Sequence, residues 1–262
     1  MYTFYGNISS QDVIIAIPAL GERKEMFAPL ANQLSEYKWL VFDSPGSHQQ
    51  NLEDYSIATF CAYIQETLEA LQIAKAHFVG SSLGAWVIQA FTKRYPQYVR
   101  SLVLLDGGHY FLGERGEVHE DAVISSPIED FKAIEAAIHE LTYSMPLLEQ
   151  DCYNEFEAYF LHNYPKQGDS YKHHCSEIAY NALSKELITV NHCLTEQSIP
   201  VALLIAEASA DELSLQKMRA FSERFDNAHC HIVKNGQHYL PLTNTGAVAE
   251  ILTLELLRNG CN

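Results

Sequence analysis

Short apolar runs alternate along much of the chain with longer segments whose apolar residues recur at helical spacing. Val13–Ile17 and Trp39–Phe42 are continuous apolar runs of strand length. Helical spacing is found between these runs, from about Glu25 to Glu36, and after them, in Ile57–Leu71. Strands that alternate with helices predict an α/β fold, with a mostly parallel central sheet flanked by helices on both faces.

The alternation is interrupted between residues 107 and 198, where helical spacing continues but no strand is predicted. We therefore expect a helical cap (lid), residues 107–198, inserted between two strands of a core formed by residues 1–106 and 199–262. Ligands of such sheets bind beyond the carboxyl ends of the strands, so a cap there would cover the binding site. The further predicted strands are Ala76–Val79, Leu102–Leu105, Val201–Ile205 and Ala228–Val233, and the further helices are Glu129–Leu141, Leu147–His162, Cys175–Asn191, Glu212–Phe225 and Ala247–Arg258.

Composition narrows the class of protein. Hydrophobic residues make up 47% of the 262 positions and charged residues 19%, which is typical of a globular domain. The formal net charge of -16 opposes binding to nucleic acid, and no basic stripe offsets it. The apolar runs are too short to span a membrane, and Met1–Tyr5 lacks the basic start and apolar core of a secretory signal. We expect a cytoplasmic protein with neither a nucleic-acid nor a membrane partner.

The cysteines and histidines give little reason to expect a metal. The six cysteines are scattered without C-x-x-C spacing, which is typical of reduced thiols rather than of a structural zinc site. Two clusters, His173–Cys175 and His229–His231, contain potential ligands, but strand alternation would put Cys230 on the opposite face from its two neighbours. We therefore predict no metal.

The segment Gly80–Gly84 carries the most specific chemical signal of the chain. It has the G-x-S-x-G spacing directly after the predicted strand Ala76–Val79, and a predicted helix follows it to about Tyr95. A serine on so sharp a turn is held in a strained conformation, and the flanking glycines avoid collisions with the neighbouring strand and helix. The turn lifts the Ser82 hydroxyl above the sheet, where the backbone N–H of Leu83 can hold an oxyanion. We predict that Ser82 is a nucleophile.

A serine hydroxyl is a poor nucleophile without a neighbouring base, and His238 is the candidate for that base. It follows the predicted strand Ala228–Val233 by the short turn Lys234–Gln237. Because the carboxyl ends of parallel strands meet at one edge of a sheet, His238 should lie at the same edge as Ser82.

These segments together resemble the α/β-hydrolase superfamily, and the resemblance covers nearly the whole chain. Its motifs are the elbow Gly80–Gly84, the turn Asp43–Gly46, the run Arg100–Gly107 and the terminal segment Asn235–His238. The resemblance implies the chain order serine, acid, histidine, an acyl-enzyme mechanism and no cofactor.

The resemblance leaves three candidates for the acid. In the family the acid usually lies in the loop after the strand that corresponds to Val201–Ile205, where this chain has Glu207 and Asp211. A subset of the family takes the acid from the end of the preceding strand, which is Asp106 here. We favour Asp211, and Asp106 and Glu207 stay open. Asp211 could instead cap the helix that starts near Glu212, and Asp106 could brace its loop.

The second donor of the oxyanion hole departs from the family pattern. Members with a lid often carry His-Gly after the first long strand, and this chain has Pro18–Gly21 there. Because the donor is a main-chain N–H, Ala19 or Leu20 could supply it beside Leu83.

The predicted cap is rich in aromatic residues, some of which should face the serine. We name Tyr143, Phe156 and Tyr159 as substrate-binding residues. The cap has a single arginine, Arg115, so no arginine cluster is evident to neutralise an anion. We therefore expect a small-molecule substrate with a neutral or apolar acyl group.

The leading functional expectation is a serine hydrolase of small esters, lactones or related carbonyl compounds. A second expectation keeps the same triad but cleaves a carbon–carbon bond of a diketone. A third is a ligand-binding sensor or partner protein on the same fold with little turnover. The fold alone does not separate these three.

Overall fold

The structure is a computed structural model, and it describes residues 1–49, 51–116, 118–124, 126–145, 152–195, 198–225 and 227–260. The strands in these residues, numbered along the chain, are β1 (Tyr2–Gly6), β2 (Val13–Ile17), β3 (Lys38–Phe42), β4 (Ala76–Ser81), β5 (Val99–Leu105), β6 (Lys166–Gln167), β7 (Ser170–Tyr171), β8 (Val201–Ala206) and β9 (Ala228–Val233). The helices are α1 (Ala28–Gln33), α2 (Ile57–Ala70), α3 (Leu83–Arg94), α4 (Phe131–Ser144), α5 (Tyr153–Leu161), α6 (Glu177–Thr189), α7 (Glu212–Arg224), α8 (Leu240–Thr243) and α9 (Thr245–Arg258).

Seven of the described strands form one sheet in the spatial order β1-β3-β2-β4-β5-β8-β9. Strand β1 pairs antiparallel with β3, and the other neighbouring pairs are parallel. The predicted α/β fold with a mostly parallel sheet is confirmed. Its parallel strands β4, β5, β8 and β9 lie side by side, so their carboxyl ends form a continuous edge.

Strand β2 shows why the sheet is covered on both faces. Ile14 and Ala16 pack in the layer that contains α1 and α9, and Ile15 and Ile17 pack in the layer that contains α2 and α3. Successive side chains of a strand point to opposite faces. A strand buried on both faces therefore has a continuous apolar run, which is the pattern seen in the sequence.

The predicted helix over about residues 25–36 is shorter in the structure. A turn of 3-10 helix covers Lys24–Phe27, and α1 follows it. Pro29 lies in the first turn of α1, where its missing N–H removes no helical hydrogen bond.

The segment between β5 and β8 contains the three predicted helices α4, α5 and α6, although residues 146–151 lie outside the described residues. Its buried side chains join the two existing layers. Ile134 of α4 and Phe156 of α5 pack in the layer of α1 and α9, and Leu183 of α6 packs in the layer of α2 and α3. The division into a core and a cap of residues 107–198 stays a prediction.

The same segment also contains a small hairpin that the helical expectation missed. Strands β6 and β7 pair antiparallel across a two-residue turn that begins with Gly168. Gly168 has φ 64°, a conformation that glycine adopts without strain. A glycine-containing two-residue turn is a hairpin signal, so the sequence did carry this information.

Within the described parts of the chain, no helix has both the length and the apolar character needed to cross a membrane.

Candidate active site

The turn between β4 and α3 holds Ser82 in a strained conformation. Its φ of 48° and ψ of −115° lie in a region that residues other than glycine rarely adopt. The neighbouring glycines make this turn possible. A Cβ on Gly80 would lie 2.3 Å from the Gly84 carbonyl oxygen, and a Cβ on Gly84 would lie 2.1 Å from the Ile17 carbonyl oxygen. The structure therefore gives both glycines the steric role that the sequence indicated.

Backbone contacts fix the serine at the end of the sheet. The Ser82 N–H donates to the Leu105 carbonyl oxygen at 2.9 Å, which ties the turn to the end of β5. Leu83 is the first residue of α3, and the first N–H groups of a helix have no partner within the helix. The positive end of the helix dipole lies at the same place. The Leu83 N–H therefore lies at the start of the helix, beside the serine, and its role as an oxyanion donor stays a prediction.

His238 lies against Ser82, as the sequence predicted. The two atoms His238 Nε2 and Ser82 Oγ are 3.1 Å apart. The turn that carries the histidine packs closely on β8, because a Cβ on Gly236 would lie 2.9 Å from the Ala206 Cα. The imidazole is half-exposed, with 47% of the side chain accessible to solvent.

Asp106 is the carboxylate that contacts the histidine. Its Oδ2 lies 2.6 Å from His238 Nδ1 and accepts a second hydrogen bond from the Ser209 hydroxyl at 2.7 Å. Its Oδ1 accepts the Ala206 N–H at 2.9 Å. A carboxylate only accepts hydrogen bonds, so Nδ1 of His238 carries a proton and Nε2 is left to accept the hydroxyl proton of Ser82.

The two other acidic candidates have different partners. Asp211, the residue favoured from sequence, is the N-cap of α7, and its Oδ1 accepts the Ser214 N–H at 2.7 Å. Glu207 Oε2 accepts the Asn235 N–H at 2.8 Å. The preference for Asp211 as the partner of His238 is therefore not met by the structure. The physical reason is that the start of its own helix already holds its carboxylate.

The loop proposed for the second oxyanion donor lies against the start of α3. A Cβ on Gly84 would be 3.0 Å from the Pro18 carbonyl oxygen. The Ala19 carbonyl accepts from the Glu22 N–H at 3.1 Å and from the Ser44 hydroxyl at 3.3 Å, which closes a turn over residues 19–22. Both the Ala19 and the Leu20 N–H remain candidates for the second donor.

The aromatic residues named as substrate contacts lie in different surroundings. Tyr143 is 57% exposed. Phe156 is fully buried, with its ring centroid 5.6 Å from that of Tyr239. Tyr159 is buried, and its hydroxyl donates to Glu22 Oε2 at 2.8 Å. Phe156 and Tyr159 thus pack inside the protein, and their roles in substrate binding stay predictions.

Sequence reasoning missed Glu22 and the cavity beside it. Glu22 directly follows the loop Pro18–Gly21, so its place in the chain was a signal that the residue would lie close to the site. The cavity has a volume of about 420 Å³. The polar and aromatic residues that line it, together with Leu20, are Glu22, Ser126, Tyr164, His173, Tyr180 and Tyr239.

A family profile described as the alpha/beta hydrolase fold matches residues 12–129 of the chain. The matched region contains β2 to β5, the Ser82 turn and Asp106. Together with solved structures of the same fold, this match confirms the resemblance found in the sequence. Residues 12–129 thus match the α/β-hydrolase family, and the chain as a whole has the α/β-hydrolase fold.

Individual relatives are similar over part of the sequence or over the whole fold. Lipase 1 of Psychrobacter immobilis is 28% identical over 115 residues, which are 42% of this chain and 36% of the lipase. The chain thus spans about a third of that relative. E-2-(acetamidomethylene)succinate hydrolase has a TM-score of 0.75 at 18% identity, over 97% of this chain and 94% of its own. The enol-lactonase from Burkholderia xenovorans LB400 has a TM-score of 0.67 at 14% identity, over 98% of this chain and 96% of its own.

Proposed function

We propose that the chain is a serine hydrolase of small esters, lactones or related carbonyl compounds. The observation that carries this proposal is the unbroken line of contacts from Ser82 Oγ to His238 Nε2 and from His238 Nδ1 to Asp106 Oδ2. Each residue has the chemistry that its position requires: a nucleophile, a base and a group that orients the base.

The proposed reaction proceeds through an acyl-enzyme. Ser82 Oγ attacks the substrate carbonyl carbon while His238 Nε2 takes the hydroxyl proton, and the Asp106 carboxylate stabilises the imidazolium. The N–H groups of Leu83 and of Ala19 or Leu20 hold the negative oxygen of the tetrahedral intermediate.

The intermediate then collapses. The bond between the carbonyl carbon and the leaving oxygen breaks, and the leaving alcohol receives the proton from His238. In the second half of the reaction a water molecule attacks the acyl-enzyme as His238 takes a proton from it. Collapse of the second intermediate releases the acid and returns the proton to Ser82.

The comparisons support a hydrolase. The similar proteins are named as a lipase, an enol-lactonase and a succinate-derivative hydrolase, all of which are hydrolases by name. A cavity of about 420 Å³, lined in part by the loop Pro18–Gly21, has the volume of a small-molecule site.

The test is covalent labelling of the nucleophile. A fluorophosphonate probe should modify Ser82 in the wild-type protein, and a panel of p-nitrophenyl esters should be hydrolysed. Ser82→Ala should lose the label and at least about a thousandfold of the esterase rate, because binding and oxyanion donors retain only residual catalysis.

Ser81→Ala is the matched control. The Ser81 hydroxyl is buried one position before the nucleophile and has no recorded hydrogen-bond partner among the described residues. Its removal should change the rate by no more than about twofold. Hydrolysis by Ser82→Ala at the wild-type rate would reject the assignment.

A further inference from the structure

The carboxyl group of Glu22 is buried without a positively charged partner. The residue is only 6% exposed. Its Oε2 accepts hydrogen bonds from the Tyr159 hydroxyl at 2.8 Å and from Asn163 Nδ2 at 3.1 Å. In the described parts of the chain, no ion pair of Glu22 is recorded, and no hydrogen bond is recorded for its Oε1. One oxygen of a buried carboxyl group is therefore available to a ligand.

The guanidinium group of the adjacent Arg23 does not pair with the Glu22 carboxyl group, because it has other partners. Arg23 Nε donates to Asn163 Oδ1 at 2.7 Å, and Nη2 donates to the Tyr159 carbonyl at 3.1 Å. Its Nη1 pairs with Glu25 at 3.3 Å. Burial raises the pKa of the Glu22 carboxyl, although its two hydrogen bonds and the charges of Arg23 and His238 act in the opposite direction. A buried carboxylate is costly until it is paired with a cation.

Glu22 lines a cavity whose walls are partly aromatic and partly aliphatic. Tyr164, Tyr180 and Tyr239 line the same cavity. The pKa of each tyrosine is raised first by burial and in part by the negative charge of Glu22, so all three lie within electrostatic reach of that carboxyl. Gly21 allows one ring to approach, because a Cβ there would lie 3.1 Å from Tyr180 Cδ2.

Aromatic rings and a carboxylate attract the same kind of ligand. The face of a tyrosine ring carries negative potential, and ammonium groups bind over it. A primary ammonium also has N–H donors for the available carboxyl oxygen, which a quaternary ammonium lacks. The net charge of -16 favours the approach of a cation over that of an anion.

We propose that this cavity binds a primary ammonium group of the substrate, and that Glu22 is the residue that selects it. The inference rests on the proposed hydrolase function, because the cavity is lined by Leu20, a candidate oxyanion donor, and by Tyr239, which follows His238. It departs from the neutral or apolar substrate expected from the sequence, because the proposed carbonyl compound also carries a positively charged amine.

Calorimetric titration with pentylammonium and with pentan-1-ol tests the proposal. The two probes share a carbon chain and differ in the charged group. The wild-type protein should bind pentylammonium roughly 10- to 100-fold more tightly, as expected for a hydrogen bond to a charged group. Glu22→Gln keeps the shape and the acceptor for Tyr159 and Asn163, and it should reduce this preference to about twofold or less.

Glu25→Gln is the matched control. Glu25 contacts Arg23 and Lys24 but does not line the cavity, so this variant should keep the preference for pentylammonium. Equal binding of the two probes by the wild-type protein overturns the proposal. That comparison needs no variant and is decisive even where Glu22→Gln does not fold. A preference that survives in folded Glu22→Gln overturns it as well.

The titration is independent of catalysis. Ser82→Ala should bind pentylammonium as the wild-type protein does. If the fluorophosphonate fails to label Ser82 but the ammonium preference depends on Glu22, the cavity assignment is supported and the hydrolase proposal fails. If Ser82 is labelled and the two probes bind equally, the hydrolase proposal stands and the ammonium site is rejected.

Discussion

The loops after β5 and β8 begin at neighbouring points of the sheet but use their acidic residues differently. The two strands are paired in parallel, with Leu105 opposite Leu204, so both loops start at the same edge. The Asp106 side chain reaches the neighbouring strand, where it accepts the N–H of Ala206, the last residue of β8. Asp211 instead accepts the Ser214 N–H within its own helix. A position near this edge is therefore not sufficient for an acidic residue to contact His238. A carboxylate that already accepts a hydrogen bond from its own helix is held away from the histidine.

The loop after β8 supports the site through hydrogen bonds to Asp106 and to the turn that carries His238. Ser209 donates to the Asp106 oxygen that also contacts His238. Glu207 accepts the Asn235 N–H and so braces the turn that precedes His238. Asp106 is buried, with a side chain that is 3% exposed, and three donors compensate its charge. The loop after β5 supplies the charge, and the loop after β8 holds it in place.

The largest expected effect separates the two aspartates. Asp106→Asn should lower kcat for p-nitrophenyl esters on the order of a thousandfold or more, because an amide neither fixes the His238 tautomer nor stabilises its cation. Asp211→Asn should stay within about twofold of the wild-type rate, because asparagine is also a good N-cap. Steady-state kinetics on both variants, with folding checked by circular dichroism, make the comparison. A large loss confined to Asp211→Asn would reverse our assignment.

The loop after β5 should also be the more sensitive of the two to acid. His109 lies in this loop, and burial is the main reason that its pKa is lowered to about 4, although the charge of Asp106 opposes the shift. Its ordinary pKa is about 6.5, so between these values the unfolded chain binds the proton and the folded protein does not. The contribution to stability is complete above about pH 6.5 and is lost as the pH falls towards 4.

Urea unfolding at several pH values tests this expectation. His109→Gln should lose stability less steeply than the wild-type protein below pH 6.5, by roughly 1.4 kcal/mol per pH unit. The other buried histidines with lowered pKa are present in both proteins and cancel in the difference. If the free energy of unfolding of the two proteins changed with pH in parallel, protonation of His109 would not destabilise the folded protein.

The positions of Ser82 and His238 could be predicted from local sequence, but the identity of the acidic residue that contacts His238 could not. The elbow is encoded by two glycines whose steric need is local, and His238 is placed by the strand that precedes it. The N-cap alternative for Asp211 was also visible in the sequence and is confirmed by the structure. The contact between Asp106 and His238 depends on side-chain directions in two loops 132 residues apart, which no local pattern specifies.

The cavity was beyond prediction for the same reason. Glu22 and Asn163 are 141 residues apart in sequence, and their contact depends on how the segment between β5 and β8 packs on the core. The sequence indicated that Phe156 and Tyr159 contact the substrate, and the structure buries both side chains. Composition could not show that Tyr143 would be exposed, because exposure depends on which side of α4 faces the core.

A carboxylate from the loop after β8 should partly replace Asp106. The Ser209 hydroxyl is 2.7 Å from the Asp106 oxygen that contacts His238, so an aspartate at position 209 can bring a charge close to the imidazole. The double variant Asp106→Asn with Ser209→Asp should recover on the order of tenfold of the rate lost in Asp106→Asn, which is about 1.4 kcal/mol. Asp106→Asn with Ser209→Asn is the uncharged control. Equal rates in the two double variants would show that position 209 cannot serve the histidine.

The smallest effect concerns the helix cap. Asp211→Ala removes the acceptor of the Ser214 N–H and should lower the free energy of unfolding by about 1 kcal/mol, the usual contribution of an N-cap. Because Asp211 does not contact His238, the rate per folded molecule should stay unchanged. Urea denaturation and active-site titration with the fluorophosphonate separate the two quantities, and Asp211→Asn should restore most of the stability. Unchanged stability together with a lower rate per labelled site would mean that this carboxylate acts on the chemistry rather than on its helix.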